Sequence, residues 1–329
     1  WGEIMINNKK FMSICWPEVL RKYGTVIGTI IMFTVFSLLV ESFCTTKNLF
    51  MLLRQMSMLT IIACGFTFVM AAGGFDMSIG NVTGLVSMVF TIVLVGTSNF
   101  WLSFLVALTI GLFVGLINAT LVAYINLPDF IGTFAVGSIA YGIKMLLTKG
   151  NPIFITKPPA IFTFIGRGYI NIIPFPVIIM IAFVMITIFI LHKTKLGRRI
   201  YAIGGNPVAS VYAGINIKKN RMITFLLSGL SVSIAAVIMT SRLNSGQPLA
   251  GEEFLLDVIA TVFLGTTMFG EGEANAAGSF VGAFMISMLN NALTMLNIPY
   301  YFQYITKGSV VITAVMLAVL MGQKLRVQF

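Results

Sequence analysis

Long apolar runs, broken by short polar or glycine- and proline-bearing stretches, repeat along all 329 residues. A bilayer core about 30 Å thick takes roughly 20 apolar residues as a helix, fewer where the helix is broken. On that scale the runs predict ten spans, near 24–41, 55–72, 79–97, 101–124, 130–148, 173–191, 222–241, 254–269, 277–296 and 304–322. The second, fifth and eighth are short or interrupted by glycine. The expected fold is all-α: one polytopic transmembrane helix bundle over 1–329 with about ten spans, some of them short or broken.

The polar breaks carry the orientation. The loop 192–221 holds seven Lys or Arg and no acidic residue, and a short loop so basic stays on the cytosolic side. An even span count then places both termini in the cytosol, with 1–23 as a cytosolic N-terminal segment. In that layout the cytosolic segments hold 13 of the 21 basic residues, Lys9, Lys10, Lys324 and Arg326 among them. The apolar run after Lys22 has no small-residue cleavage site and reads as an uncleaved first span.

Composition narrows the class further. Hydrophobic residues make up 58% of the chain and charged ones 9%, against about 25% charged in soluble domains. Only a lipid bilayer accommodates that much apolar surface. The net charge of +11 does not point to nucleic acid, because the basic residues are scattered between apolar runs rather than gathered into one domain. Cys15, Cys44 and Cys64 have no metal or disulfide spacing. His192 has no ligand partner near it, and no P-loop is present to hold ATP. The chain is therefore expected to be no enzyme and to carry no metal and no cofactor.

Several polar motifs interrupt the apolar pattern. Gly73-Gly74-Phe75-Asp76-Met77-Ser78-Ile79-Gly80 ends one span and opens the next. Asp76 can cap the following helix with Ser78 supporting the turn, or both can line a solute path, since irregular backbone at membrane depth must face protein or water. In the basic loop, Gly204 and Gly205 can adopt positive φ, and Asn206 can cap a short helix begun by Pro207. That element suits docking into a groove on a soluble partner; an amphipathic connector at the lipid surface is the other reading. Arg242 to Pro248, with Gln247, is expected at an outer span end, where it can line an entrance or let Arg242 snorkel to headgroups. Asn118, Asn290 and Asn291 are uncharged polar residues inside spans, suited either to interhelical hydrogen bonds or to solute contact. Gly24/Gly28, Gly80/Gly84, Gly111/Gly115 and Gly278/Gly282 have the spacing of close helix packing. The proline-bearing stretch 149–172 is expected outside, as a connecting loop or a partner contact.

At these residues the chain resembles the permease subunits of the ribose-type ABC importers, a family that also takes up other monosaccharides and a furanose-like autoinducer and has relatives serving nucleosides. The family's G-G-I-D-L-S-V-G is similar to residues 73–80, its G-A-x-N-G to Gly115–Ala119, and its P-x-F-I-x-T to Pro128–Thr133. Y-A-I-G-G-N-P matches Tyr201–Pro207 in every position, and S-G-Q-P matches Ser245–Pro248. The resemblance implies a bacterial inner-membrane permease for a small polar solute of sugar type. Its implied partners are a second permease subunit, two cytosolic ATP-binding-cassette ATPase subunits and an extracytosolic solute-binding protein. It implies that the 201–215 segment, from Tyr201 through Gly214, supplies the helix that contacts the ATPase. A nucleoside-type permease and a stand-alone secondary transporter are the alternatives. The latter needs buried ionisable groups for ion coupling, and the carboxylates fall mostly in loops. The chain departs from the family at Leu255, at Gly270-Glu271-Gly272-Glu273, and at Val208 and Val211, where charged residues are usual. Those departures leave open whether the second permease is identical or different.

Overall fold

The computed structural model describes residues 16–268 and 272–320. The basic residues Lys9, Lys10, Lys324 and Arg326, and Gly270-Glu271, lie outside these. Thirteen α-helices and four two-residue strands make up the described chain. The long helices are α1 (Trp16–Leu39), α2 (Thr46–Ala71), α3 (Ile79–Thr97), α4 (Phe100–Ala119), α5 (Asp129–Thr148), α7 (Phe175–Lys193), α10 (Ile217–Leu243), α12 (Ala276–Met295) and α13 (Tyr300–Leu320). Between them lie the shorter α6 (Ala160–Arg167), α8 (Lys195–Gly205), α9 (Pro207–Tyr212) and α11 (Glu253–Thr266). Strands β1 (Ile153–Phe154) and β4 (Ser245–Gly246) pair antiparallel, as do β2 (Tyr169–Ile170) and β3 (Ile173–Pro174).

Helix ends follow local chemistry. Thr45, Asn99, Thr194, Asn206, Asn216 and Asn275 each accept a backbone N–H of the first turn that follows, which satisfies donors a helix start leaves free. α4 runs through a π-helical turn, Thr120–Tyr124, into the break before Pro128. Ser98, Lys149 and Asn244 close α3, α5 and α10 in the left-handed region. The proline-bearing stretch 149–172 contains α6 and one strand of each ladder, β1 and β2.

Among the described residues, seven helices are long and apolar enough to cross a membrane: α2, α3, α4 with its π turn, α5, α7, α10 and α12. α2, α3, α10 and α12 are each 67% buried along the apolar window, whereas α4, α5 and α7 are 33% buried. The first four therefore form the centre and the other three flank it. The protein is a polytopic all-α membrane bundle.

Glycines let the central helices touch. A β-carbon at Gly111 in α4 would overlap the Gly229 carbonyl oxygen in α10, and one at Gly229 would overlap that of Gly111. Gly265 of α11 and Gly278 of α12 meet in the same reciprocal way, and Gly282 lies against Thr261. Of the four glycine pairs singled out by spacing, Gly111/Gly115 and Gly278/Gly282 thus sit at helix contacts, and Gly80/Gly84 lie against the backbone of residues 248–251. The fourth differs: Gly24 and Gly28 have open space where a side chain would go. Hydroxyl contacts add to the packing, with Ser87 bonded to Thr240 and Thr67 to Ser279 at 2.7 Å each. Such interhelical bonds contribute about 0.6–2 kcal/mol each in a bilayer.

After α10 the chain turns back on itself. Gly246 lies beside Thr91, Pro248 beside Gly84, and Gly251 against the Gly80 carbonyl. Residues 244–252 therefore run antiparallel along α3, and α11 begins deep in the bundle. Within the motif Arg242–Pro248, Ser245, Gly246 and Pro248 are buried, Arg242, Asn244 and Gln247 are half-buried, and Leu243 is exposed.

Candidate functional site

The structure gathers the polar residues into three places. The first is the junction where α2 breaks into α3. Gly73 takes φ of 72°, and the chain then passes Asp76, which is 3% exposed. Asp76 Oδ1 accepts from the Ser78 backbone N–H at 3.0 Å and from Ser78 Oγ at 2.6 Å. Its Oδ2 accepts from Ser228 Oγ of α10 at 2.9 Å. Asn118 Nδ2 of α4 donates to Ser78 Oγ at 2.8 Å and to Asp76 Oδ1 at 3.4 Å. Asp76 does not cap α3, whose cap position is Ser78; its carboxylate instead ties the turn to α4 and α10. The space beside it is about 10 Å³, room for at most a single water.

The second place is the cytosolic end in the expected orientation. Asn206 accepts from Ala209 N at 3.0 Å and caps α9, with Pro207 at its first position. Gly204 and Gly205 belong to the last turn of α8 and are not among the positive-φ residues. The need for glycine at 204 is steric, because a β-carbon would overlap the Ala71 carbonyl at the end of α2. Tyr201 Oη donates to the Ala274 carbonyl ahead of α12 at 3.0 Å, and Gly214 turns the chain at φ of 74°. α9 leaves Val208 (65%), Val211 (59%) and Tyr212 (89%) exposed. Between α8, α9 and the α2 end lies a cavity of about 330 Å³ bordered by Gly73, Gly204, Asn206 and Arg221. Arg221 of α10 pairs with Asp129 of α5 at 2.5 Å, and the same oxygen accepts Phe75 N at 3.0 Å. One carboxylate therefore joins the α2–α3 turn, α5 and the base of α10.

The third place is the far end of the bundle. Asn290 Nδ2 donates to Asp257 Oδ2 at 2.9 Å. Lys307 Nζ of α13 lies 3.2 Å from Oδ2 and 3.1 Å from Oδ1. Asn291, one residue on, is turned the other way and exchanges two 2.9 Å hydrogen bonds with Asn48 of α2. Gln247 bonds within its own segment, to Ser245 Oγ at 3.0 Å. Nearby, Lys144 of α5 is fully buried and bonds Asn81 Oδ1 and Glu252 Oε1 at 3.0 Å each. This pair holds the returning segment against α3 and α5.

Lys144, Lys307, Asp129, Arg221 and Glu252 were not singled out from the sequence. Two of them carried a signal: a lysine inside an apolar run is expensive and functional or paired by default. Among the described residues, no group of His, Cys, Asp and Glu could hold a metal ion.

The described chain is a helix bundle closed by glycine contacts, with a broken helix at its centre and a short helix exposing apolar side chains on a basic loop. The family model described as "Branched-chain amino acid transport system / permease component" matches residues 48–320. The chain is 37% identical over 304 residues to the ribose import permease protein RbsC of Bacillus subtilis (strain 168), covering 92% of this chain and 94% of the relative. It is 33% identical over 313 residues to RbsC of Escherichia coli (strain K12), covering 94% and 97%. It is 32% identical over 300 residues to the D-allose transport system permease protein AlsC of the same strain, covering 90% and 91%. No solved structure matches the chain. The chain belongs to this permease family, the ribose-type ABC-importer permeases that its motifs resemble. It is a multi-pass protein of the bacterial cytoplasmic membrane and a permease component rather than the catalytic ATPase.

Proposed function

We propose that this chain forms the translocation pathway for a monosaccharide as one of two permease subunits, identical or different. Two cytosolic ATP-binding-cassette ATPases and an extracytosolic solute-binding protein complete the assembly. In this reading residues 1–329 are a single domain of ten spans. α1, α11 and α13 join the seven helices of full length, and both termini are cytosolic. The substrate class rests on the relatives, whose names specify ribose, D-allose and xylose.

The loop 192–221 carries the ATPase contact, and one observation supports this most directly. α9 exposes Val208, Val211 and Tyr212 on the most basic loop of the chain. Exposed apolar side chains on a capped, rigid helix outside the spans fit a groove on a protein partner. Tyr201, Gly204, Gly205, Asn206, Pro207 and Gly214 shape that helix and seat it on α2. Motion of α9 is then transmitted through Gly204 to the α2 end, and through Arg221–Asp129 to the 73–78 turn. Asp76, Ser78, Asn118, Gln247, Asn290 and Asn291 are the polar residues from which the solute path is drawn, with Asn290 best placed among them.

The pair Val208→Lys and Tyr212→Ala tests the coupling assignment without touching a buried contact. In proteoliposomes carrying the whole assembly, ATP-driven sugar uptake should fall at least about tenfold, the effect of about 1.4 kcal/mol lost at a partner groove. Membrane insertion and folding should be unchanged. Uptake at the wild-type rate would remove α9 from the coupling path.

A further inference from the structure

The cavity at the far end of the bundle has the chemistry of a binding site. It measures about 210 Å³ and draws polar side chains from five helices: Gln55, Arg242, Asp257, Ser287, Asn290 and Lys307. Buried polar atoms are normally hydrogen-bonded, and exceptions call for an explanation. Here three cluster on one cavity. Asn290 Oδ1, Ser287 Oγ and Asp257 Oδ1 have no hydrogen-bond partner, although Lys307 lies within ion-pair distance of the last. Asn290 is 7% exposed and Ser287 1%. The amide orientation of Asn290 is not arbitrary, because its NH₂ must face the Asp257 carboxylate, which leaves its oxygen unpaired.

The arrangement also restricts the ligand's charge. Asp257 and Lys307 already neutralise one another, so a charged solute would have to break a buried pair at a cost of several kcal/mol. A neutral polyhydroxylated molecule has no such conflict. Each hydroxyl donates one hydrogen bond and accepts two. It can give to the unpaired oxygen of Asn290 and to the Asp257 carboxylate beside Lys307, while taking from Ser287, Arg242 and Lys307.

We propose that this cavity, lying within a single subunit, is a binding site for a neutral monosaccharide, with Asn290 Oδ1, Ser287 Oγ and Asp257 Oδ1 as its central contacts. The proposal rests on the monosaccharide reading above. It deepens that reading by placing a solute site inside one chain, between α2, α10, α11, α12 and α13.

The test uses the full assembly in proteoliposomes, with D-ribose, D-xylose and D-allose as probes. Ser287→Cys is introduced into a chain with Cys15→Ser, Cys44→Ser and Cys64→Ala, and its reaction with a water-soluble methanethiosulfonate is timed. A transported sugar at ten times its Kd should slow the reaction about tenfold, as expected for simple occupancy. A sugar the assembly does not transport should not slow it. Separately, Asn290→Leu should raise KM for uptake about tenfold with kcat little changed, which a purely structural role would not produce. No labelling of the Ser287→Cys variant, or equal labelling with and without transported sugar, overturns the proposal, as does an unchanged KM. An assembly that hydrolyses ATP but imports none of the three sugars refutes the monosaccharide reading and the proposal with it. Import that proceeds with both variants behaving as wild type refutes the cavity alone.

Discussion

The Asp76 junction and the Asp257 cavity are built from similar side chains and differ in how much space they leave. Each sets an aspartate, an asparagine and serines among apolar helices. At Asp76 both carboxylate oxygens are bonded, Asn118 Oδ1 alone is left without a partner, and the space left over is about 10 Å³. At Asp257 the carboxylate needs a lysine beside it, acceptors stay unpaired, and about 210 Å³ remains open. The difference lies in the backbone. Around Asp76, Gly111, Gly115 and Gly229 bring the backbones of α4 and α10 into contact. Around Asp257 the glycine contacts of α11 and α12 lie further along the helices, at Gly265, Gly278 and Gly282, and the cavity itself is bordered by long side chains such as Gln55, Arg242 and Lys307.

That contrast is open to direct challenge. Gly229→Val should have the largest effect, because the new side chain overlaps the Gly111 carbonyl. A loss above about 4 kcal/mol is expected, seen as absence of a monodisperse peak after detergent extraction. A well-behaved variant with wild-type melting would show that α4 and α10 do not meet there. Asp257→Ala comes next. It strands Lys307 in a buried site at a cost of about 3–5 kcal/mol, while the double variant Asp257→Ala/Lys307→Met should recover most of it. Losses that simply add would mean the two charges act independently. The smallest and sharpest comparison is between two serines. Ser228→Ala removes a donor to Asp76 and should cost about 1–3 kcal/mol, whereas Ser287→Ala gives up no hydrogen bond and should stay within about 0.5 kcal/mol. Equal melting shifts would erase the distinction between the two clusters.

Much of this is legible in the residues because it is local. The apolar runs mark the long helices, and Asn206-Pro207 announces a capped helix that the structure contains. Glycine spacing finds three true contacts, and it misleads only at Gly24/Gly28, since spacing cannot say what lies opposite. What escapes is non-local. Gly204 reads as a turn residue, but its reason is the α2 carbonyl it faces. Lys144 is paired with Glu252, 108 positions away, so its lysine is visible in the sequence and its partner is not. Asn290 and Asn291 read alike in the sequence, and only the helix rotation sends one to a cavity and the other to Asn48.

The returning segment 244–252 bears on how the protein is made. α11 has 14 residues, about 21 Å of helix at 1.5 Å per residue, short of the bilayer core of about 30 Å. It cannot hold a transmembrane position by hydrophobic length alone. The stretch before it is held by Gly80, Gly84 and Lys144, all synthesised well before it. The last part of the chain therefore settles only onto a template that already exists. α3 and α5 must be inserted and adjacent before α11 has a place to go, which makes the order of synthesis part of the folding instructions.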